Sequence, residues 1–363
     1  MKLKVTQENL SKALGYVARV ANNRGTLPVL ANVLLSIENN RLKLATTNLE
    51  IAISCTIGAQ VQNEGTITVP ARLFQELVSG LPSGVIELEQ DEQRLKISAD
   101  QYKSVINGVS ADEFPVMPAI EKGATLTISA QTMKEALQQV LFAASNDESR
   151  PVLTGVCVRS RDGALYFAAT DSYRLAEKKL HELNQDIAVL IPASALHDVL
   201  RVISDKDEDV TVLYDEQQAL FTVGDVEIVA RLIEGNYPDY RKLIPSTFQT
   251  TATLSRAEFV NIVKVTSLFA RESAGSVMVN VDEASNSIWV RAVASQLGEN
   301  NATTSVKAEG SGSITLNSRY LLEALQAMNG KDVTIGFNGK VEAVLLSDPA
   351  EDDYKHIIMP LKS

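Results

Sequence analysis

One arrangement of residues returns three times along this chain and constrains its fold more than any other feature. "TITVPARLFQEL" (Thr66 to Leu77), "AVLIPASALHDV" (Ala188 to Val199) and "SITLNSRYLLEA" (Ser313 to Ala324) each run from a β-branched stretch through a turn pair into an apolar-periodic helix. Pro70, Pro192 and Asn317 hold the same place in successive copies, about 120 residues apart. That period is too long for a solenoid unit, so it predicts three tandem domains of like fold. Boundaries near Ala119 and Pro245 divide the 363 residues into 1–119, 120–245 and 246–363. Such a length is more than one hydrophobic core ordinarily serves.

Each third opens on another helix behind a polar cap: "VTQENLSKALGYVARVA", "ISAQTMKEALQQVLFAAS" and "LSRAEFVNIVKVTSLFA". Thr6, Ser129 and Ser255 take the N-cap place, and only the last has a Glu three positions on, at Glu258. Leu10, Ala13, Leu14, Val17, Ala18 and Ala21 fall on one face of the first helix. In the second helix of that third the expected stripe is Leu73, Leu77 and Val78. Turn residues at Asn39-Asn40, Asp162-Gly163 and Ser285-Asn286 sit between alternating apolar runs and predict hairpins. Strands outnumber helices, so the class is α+β, with antiparallel sheets each covered on one side by two helices. Helix followed by strands occurs twice per third, which suggests a pseudo-repeat of half that size.

Composition narrows the function. With 34 basic and 45 acidic residues the net charge is −11, which argues against gripping phosphates by bulk electrostatics. Any nucleic-acid role needs local basic surface. No apolar run is long enough to span a bilayer, and "MKLKVTQENL" lacks the apolar core of a signal peptide, so a cytoplasmic protein is expected. Cys55 and Cys157 lie in β-branched runs and read as small buried hydrophobes. His181, His197 and His356 are scattered and match no metal-ligand spacing, and no Walker or nucleophile-elbow motif occurs, so neither metal nor cofactor is expected.

The one stretch that invites a catalytic reading is "ATDSYRLA", where Asp171, Tyr173 and Arg174 follow a strand end. The basic residues that fall on or beside helices are Lys12, Arg19, Arg24, Arg72, Lys134, Arg201, Lys264, Arg271 and Arg319. Turned to a common side, they form a basic stripe on an acidic protein; otherwise they are solvated helix faces.

"TLPVLANVLL", "TVPARLF", "ATDSYRLA", "NYPDYRKLIP" and the terminal "HIIMPLKS", in this order within a threefold repeat, resemble the bacterial sliding clamp family, the beta subunit of DNA polymerase III. The resemblance spans essentially the whole chain. It implies three domains of one DNA-clamp fold and a head-to-tail homodimer closing a ring of six domains around double-stranded DNA. It further implies no catalytic activity. The partners it implies are the DNA polymerase III alpha subunit, the clamp loader complex, and other polymerases and repair proteins that carry a clamp-binding motif. The family's partner pocket, between the second and third domains, maps onto Leu153, Thr170, Tyr173, Arg174, Leu175, Pro238, Leu243, Val341, Ile357, Met359, Pro360 and Leu361. In that mapping Arg174 and the backbone hold the polar atoms of the bound motif. Arg24, Arg72 and Arg201 match DNA-facing positions, and Ile106, Leu268 and Phe269 are apolar candidates for the dimer seam. Many relatives read "ATDGHRLA" where this chain has Ser172 and Tyr173, which reshapes one side of the pocket.

Two other readings stay open on the sequence. An enzyme using Asp171, Tyr173 and Arg174 requires a buried carboxylate of raised pKa, whereas a repeat scaffold that never encircles DNA requires nothing of its basic helix faces.

Overall fold

The computed structural model describes residues 1–21, 27–115, 119–180 and 186–362. Among the described residues there are six α-helices: α1 (Gln7–Val17), α2 (Ala71–Gly80), α3 (Ala130–Val140), α4 (Ala193–Val202), α5 (Arg256–Thr266) and α6 (Ser318–Ala327). Each follows a strand without a break, these being Lys2–Thr6, Thr66–Pro70, Ala124–Ser129, Ala188–Pro192, Thr250–Ser255 and Gly312–Asn317. The strand-then-helix unit therefore recurs at half the period of the large repeat.

The last strand residue supplies the cap. Thr6 Oγ1 accepts from the Asn9 amide (3.4 Å), Ser129 Oγ from Thr132 (3.2 Å) and Ser255 Oγ from Glu258 (3.5 Å). Asn317 Oδ1 caps α6 through the Arg319 amide at 2.9 Å. The Glu258 carboxylate accepts from the Thr304 hydroxyl (2.9 Å), so the acid of the expected capping box reaches a neighbouring strand. Asn39 and Asn40 turn with φ of 50° and 61°, and Asp162-Gly163 with 48° and 74°, the left-handed pairs that a two-residue hairpin requires. Asn286, at φ 47°, closes the third hairpin.

Two compact units result, Met1–Lys134 with Ser194–Leu232, and Glu135–Ala193 with Ile233–Ser363. Neither coincides with one third of the chain, because the sheets run across the repeat boundaries. In the first unit an eight-stranded antiparallel sheet joins strand Ile51–Gly58 to Val226–Arg231, with Ile53 opposite Ile228, and an Arg41–Asp225 ion pair of 2.8 Å lies at the same seam. In the second unit a nine-stranded sheet joins Arg174–Leu180 to Tyr354–Ile358, with Leu175 opposite Ile357. A five-stranded sheet completes the first unit and a four-stranded sheet the second.

Helices α1 and α2 pack together, tied by Gln7 Nε2 donating to the Val78 carbonyl at 2.9 Å. The α1 stripe is buried as its spacing predicts. On α2 Val78 of the expected stripe is buried, together with Ala71 and Phe74, whereas Leu77 is half-buried and Leu73 stands 53% exposed. The i, i+4 pair Phe74 and Val78 sets that face, and Leu73 lies a helical step of about 100° from Phe74, outside it. In the second unit α5 and α6 pack likewise, burying Phe259, Val263, Leu321 and Leu325. Cys55 and Cys157 are free and buried, and burial pushes the Cys55 thiol up to about 11.

Candidate functional site

The stretch Thr170–Leu175 connects two paired strands of the nine-stranded sheet, and its local hydrogen bonds dictate its shape. Asp171 Oδ1 accepts from the amides of Tyr173 (2.9 Å) and Arg174 (3.0 Å), while Thr170 Oγ1 donates to the Arg174 carbonyl (2.6 Å) and accepts from the Ser172 amide (3.1 Å). This tight turn puts Ser172 at φ 77°, a conformation that favours glycine. It also projects Tyr173 outward, 61% exposed.

Arg174 goes the other way. It is 8% exposed, its Nε donates to Asp171 Oδ2 (3.0 Å), its Nη2 to the Phe142 carbonyl (2.5 Å), and its Nη1 pairs with Glu323. The guanidinium also lies over the rings of Tyr320 (4.5 Å) and Phe142 (5.3 Å). Arg174 thus fixes the turn from within its own fold, with three of its five N–H donors met there. Asp171 is equally committed, one oxygen to two amides and the other to Arg174. Both oxygens of this carboxylate therefore hold the turn, a structural role for Asp171.

The strand Tyr354–Ile358 extends this wall. Met359 donates its amide to the Tyr173 carbonyl (2.8 Å), and Leu361 donates to the Thr315 carbonyl (2.9 Å), so the residues after the strand are pinned across the turn. Leu175 and Ile357 are 2% exposed and form a cluster with Ala168, Tyr240 and Leu345, against which Tyr237, Ile244, Phe248 and Ala343 pack. These two positions are a floor rather than a surface. Leu153 and Thr170 are buried too. What remains open to solvent is apolar: Tyr173, Leu243 (54%), Val341 (71%) and Pro238, with Met359, Pro360 and Leu361 half-buried. Leu243 rides on a single 3-10 turn, Tyr240–Leu243, anchored where the Tyr240 hydroxyl donates to Glu177 Oε2 at 2.7 Å.

Sequence reasoning missed Phe142, Glu177, Tyr240, Tyr320 and Glu323. "NYPDYRKLIP" contained the signal for Tyr240, since a Tyr two residues after Pro in a polar turn needs a partner for its hydroxyl once buried. His356 is wholly buried, stacked on Phe142 (5.4 Å between centroids) with Nδ1 3.3 Å from the Tyr354 hydroxyl. Burial lowers its pKa to about 3.

The other named residues lie elsewhere. Arg72 is exposed at the start of α2, with no ion pair among the described residues, whereas Arg201 on α4 is tied to Asp198 at 2.6 Å. Arg24 lies outside the described residues. Strand Tyr102–Asn107 is the free edge of the five-stranded sheet, but Ile106 turns into its own core at 5% exposure, because side chains alternate along a strand. Val105 (58%) and Tyr102 (47%) are the residues that edge presents. Leu268 is 51% exposed and Phe269 half-buried, in a turn packed on strand Gly298–Ser305, which is an edge of the four-stranded sheet. Among the described residues no group of three or more His, Cys, Asp or Glu is placed to hold a metal ion, and no helix is long and apolar enough to cross a membrane.

Comparison with known proteins agrees along the whole length. Residues 1–118, 127–239 and 241–362 match in turn the N-terminal, central and C-terminal domains of the DNA polymerase III beta subunit. The beta sliding clamp of Synechococcus elongatus is 32% identical over 372 residues, covering 100% of this chain and 99% of that protein. The beta sliding clamp of Staphylococcus aureus is 27% identical over 376 residues, covering 100% of both. Among solved structures, the DNA polymerase sliding clamp from Bacillus subtilis superposes with a TM-score of 0.95 at 28% identity, covering 100% of this chain and 99% of that one. The DNA polymerase III beta subunit from Thermotoga maritima gives 0.93 at 25%, with the same coverage.

These matches make the chain, with its three helix-on-sheet domains of one fold, a replication processivity factor and not an enzyme. The chain belongs to the DNA polymerase III beta subunit family, the beta sliding clamps.

Proposed function

We propose that two copies of this chain, each with domains 1–119, 120–245 and 246–363, close head to tail into a ring around duplex DNA in the cytoplasm. The ring tethers its partners through the groove bounded by Tyr173, Pro238, Leu243, Val341 and Met359 to Leu361. Those partners are the alpha subunit of DNA polymerase III, the clamp loader, and other polymerases and repair proteins with a short clamp-binding motif. Tethering by topology raises a polymerase's effective concentration at the primer end without a tight grip on DNA, which suits a net charge of −11. Exposed basic groups such as Arg72 then make weak, sequence-independent phosphate contacts.

The observation that carries the tethering role is the exposed apolar set over a buried floor. Tyr173, Leu243 and Val341 are each more than half exposed, a cost in water that an apolar partner segment relieves. Two unpaired strand edges support ring closure, Tyr102–Asn107 with Val105 exposed and Gly298–Ser305 beside Leu268.

Fluorescence polarisation of a labelled Gln-Leu-x-Leu-Phe peptide tests the groove. Saturable binding that weakens in Arg174→Ala and in a truncation lacking Met359 to Ser363 is expected. Absence of binding to folded, dimeric protein would sink the groove assignment. A mass of one chain in gel filtration at micromolar concentration would count against the ring.

A further inference from the structure

Away from the apolar groove, the same sheet carries a concentration of positive charge that the tethering role does not use. A cleft of ≈ 440 Å³ is lined by Arg159, Ser160, Arg161, Asp186, Ile187 and Arg241. In a chain with 45 acidic and 34 basic residues, three guanidinium groups converging on one concavity need a reason. Arg161 is satisfied by Asp162 at 2.6 Å. Arg159 and Arg241 have no carboxylate partner among the described residues. Among the described residues the only acid lining the cleft is Asp186, 3.5 Å from the Ser160 hydroxyl.

Two of the arginines are held in place by an aromatic ring. Arg161 and Arg241 stand 5.8 Å and 5.5 Å from the centroid of Tyr166, which fixes their guanidinium planes near one ring and reduces the rotamer entropy lost on binding an anion. A planar donor fork pre-set in this way matches a carboxylate.

Position connects the cleft to the groove. Tyr166 and the groove residue Thr170 lie on one strand, Ala164–Thr170, four residues or roughly 13 Å apart at the rise of an extended chain. Arg241 and Leu243 share the turn Tyr240–Leu243.

We propose that the Arg159, Arg161 and Arg241 cleft receives the carboxylates of an acidic segment flanking the hydrophobic motif of a partner polypeptide, so that the motif's anchors enter the groove while its acidic flank lies on the arginines. The proposal rests on the groove reading above. A nucleic-acid strand fits less well, because Asp162 and Asp186 beside the cleft repel a long polyanion while leaving room for two or three carboxylates. Specificity follows from the charge pattern: partners with neutral or basic flanks bind through the groove alone, and acidic-flanked ones gain on-rate and affinity.

The test uses full-length protein and three labelled probes: a Gln-Leu-x-Leu-Phe peptide with neutral flanks, the same peptide with glutamates at both ends, and a short single-stranded oligonucleotide. Affinities are measured at low and high salt for wild type, Arg159→Ala and Arg159→Ala/Arg241→Ala. The acid-flanked peptide should bind wild type roughly threefold to thirtyfold more tightly than the neutral one at low salt, from two or three exposed ion pairs. High salt and the double variant should abolish that advantage, with the single variant between. The neutral peptide should bind every variant equally, which shows that Arg241→Ala leaves the groove intact. No preference in wild type, or one that survives the double variant, overturns the cleft. If the neutral peptide fails to bind, the groove reading fails, and arginine-dependent binding of the acid-flanked peptide alone still upholds an anion site. Loss of all peptide binding overturns both. Arginine-dependent binding of the oligonucleotide in competition with the acid-flanked peptide reassigns the cleft to nucleic acid and overturns the proposal.

Discussion

The Tyr240 hydroxyl donates to Glu177 Oε2 across 2.7 Å, and neither residue is more than 8% exposed. This contact pins the turn that carries Arg241 and Leu243 to the strand behind it. Burial, with the Glu177 carboxylate beside it, pushes the Tyr240 phenol well above its ordinary pKa. The bond is therefore a neutral donor to a buried acid. In Tyr240→Phe the ring still packs on Leu175 and Ile357 but the carboxylate loses its donor. A loss of about 1–3 kcal/mol in urea unfolding is expected, with weaker binding of the motif peptide. Unchanged stability would show that water replaces the phenol.

Ser172 sits at φ 77° in the turn that presents Tyr173, where a side chain is strained. Its hydroxyl accepts from Arg150 Nη1 (2.9 Å), an exposed bond that offsets part of the strain. Ser172→Gly should hold or raise stability by up to about 1 kcal/mol, and Ser172→Val should lower it by about 1–2 kcal/mol. Paired thermal melts decide this, and a glycine variant that melts lower would refute the strain argument.

His356 is buried beneath Phe142 with its pKa lowered to about 3 by desolvation, helped by the nearby Arg174 charge. The folded state keeps the ring neutral at a pH where the unfolded chain takes up a proton near 6.5. Above about 6.5 this group adds nothing to the pH dependence; from there down to about 3 the unfolded state binds the extra proton and stability falls. The slope from this one group approaches about 1.4 kcal/mol per pH unit. In His356→Phe, denaturation midpoints followed from neutral to acid pH should decline less steeply than in wild type. Parallel curves would show that the ring titrates normally.

On the proposed seam, Val105→Lys or Leu268→Lys places a charge where an apolar contact is expected. Each should weaken self-association by roughly tenfold, about 1.4 kcal/mol, in sedimentation equilibrium. Ile106→Val, a change inside the protomer, should lower stability by about 0.5–1.5 kcal/mol and leave the association constant alone. The reverse pattern would place the seam elsewhere.

The repeat, the six helices, three caps and three hairpins were all legible, because each rests on signals a few residues long: a cap acceptor, a left-handed turn pair, a period of 3.6 or 2. Leu73 was misread because it is apolar beside another apolar residue, Phe74, and only the packing decides which of the neighbours faces the core. The groove was half legible. Its exposed residues lie in quotable motifs, but the inward commitment of Arg174 depends on Phe142, Tyr320 and Glu323, more than thirty residues away on either side. Pairing of Leu175 with Ile357 spans an even longer loop, and no local pattern announces it.

Because strand Ile51–Gly58 is hydrogen-bonded to Val226–Arg231, and Arg174–Leu180 to Tyr354–Ile358, the segment that repeats along this chain is not the segment that can be taken out of it. A cut at either repeat boundary leaves a full strand of unpaired amides and carbonyls on both pieces, which invites fusion with other chains.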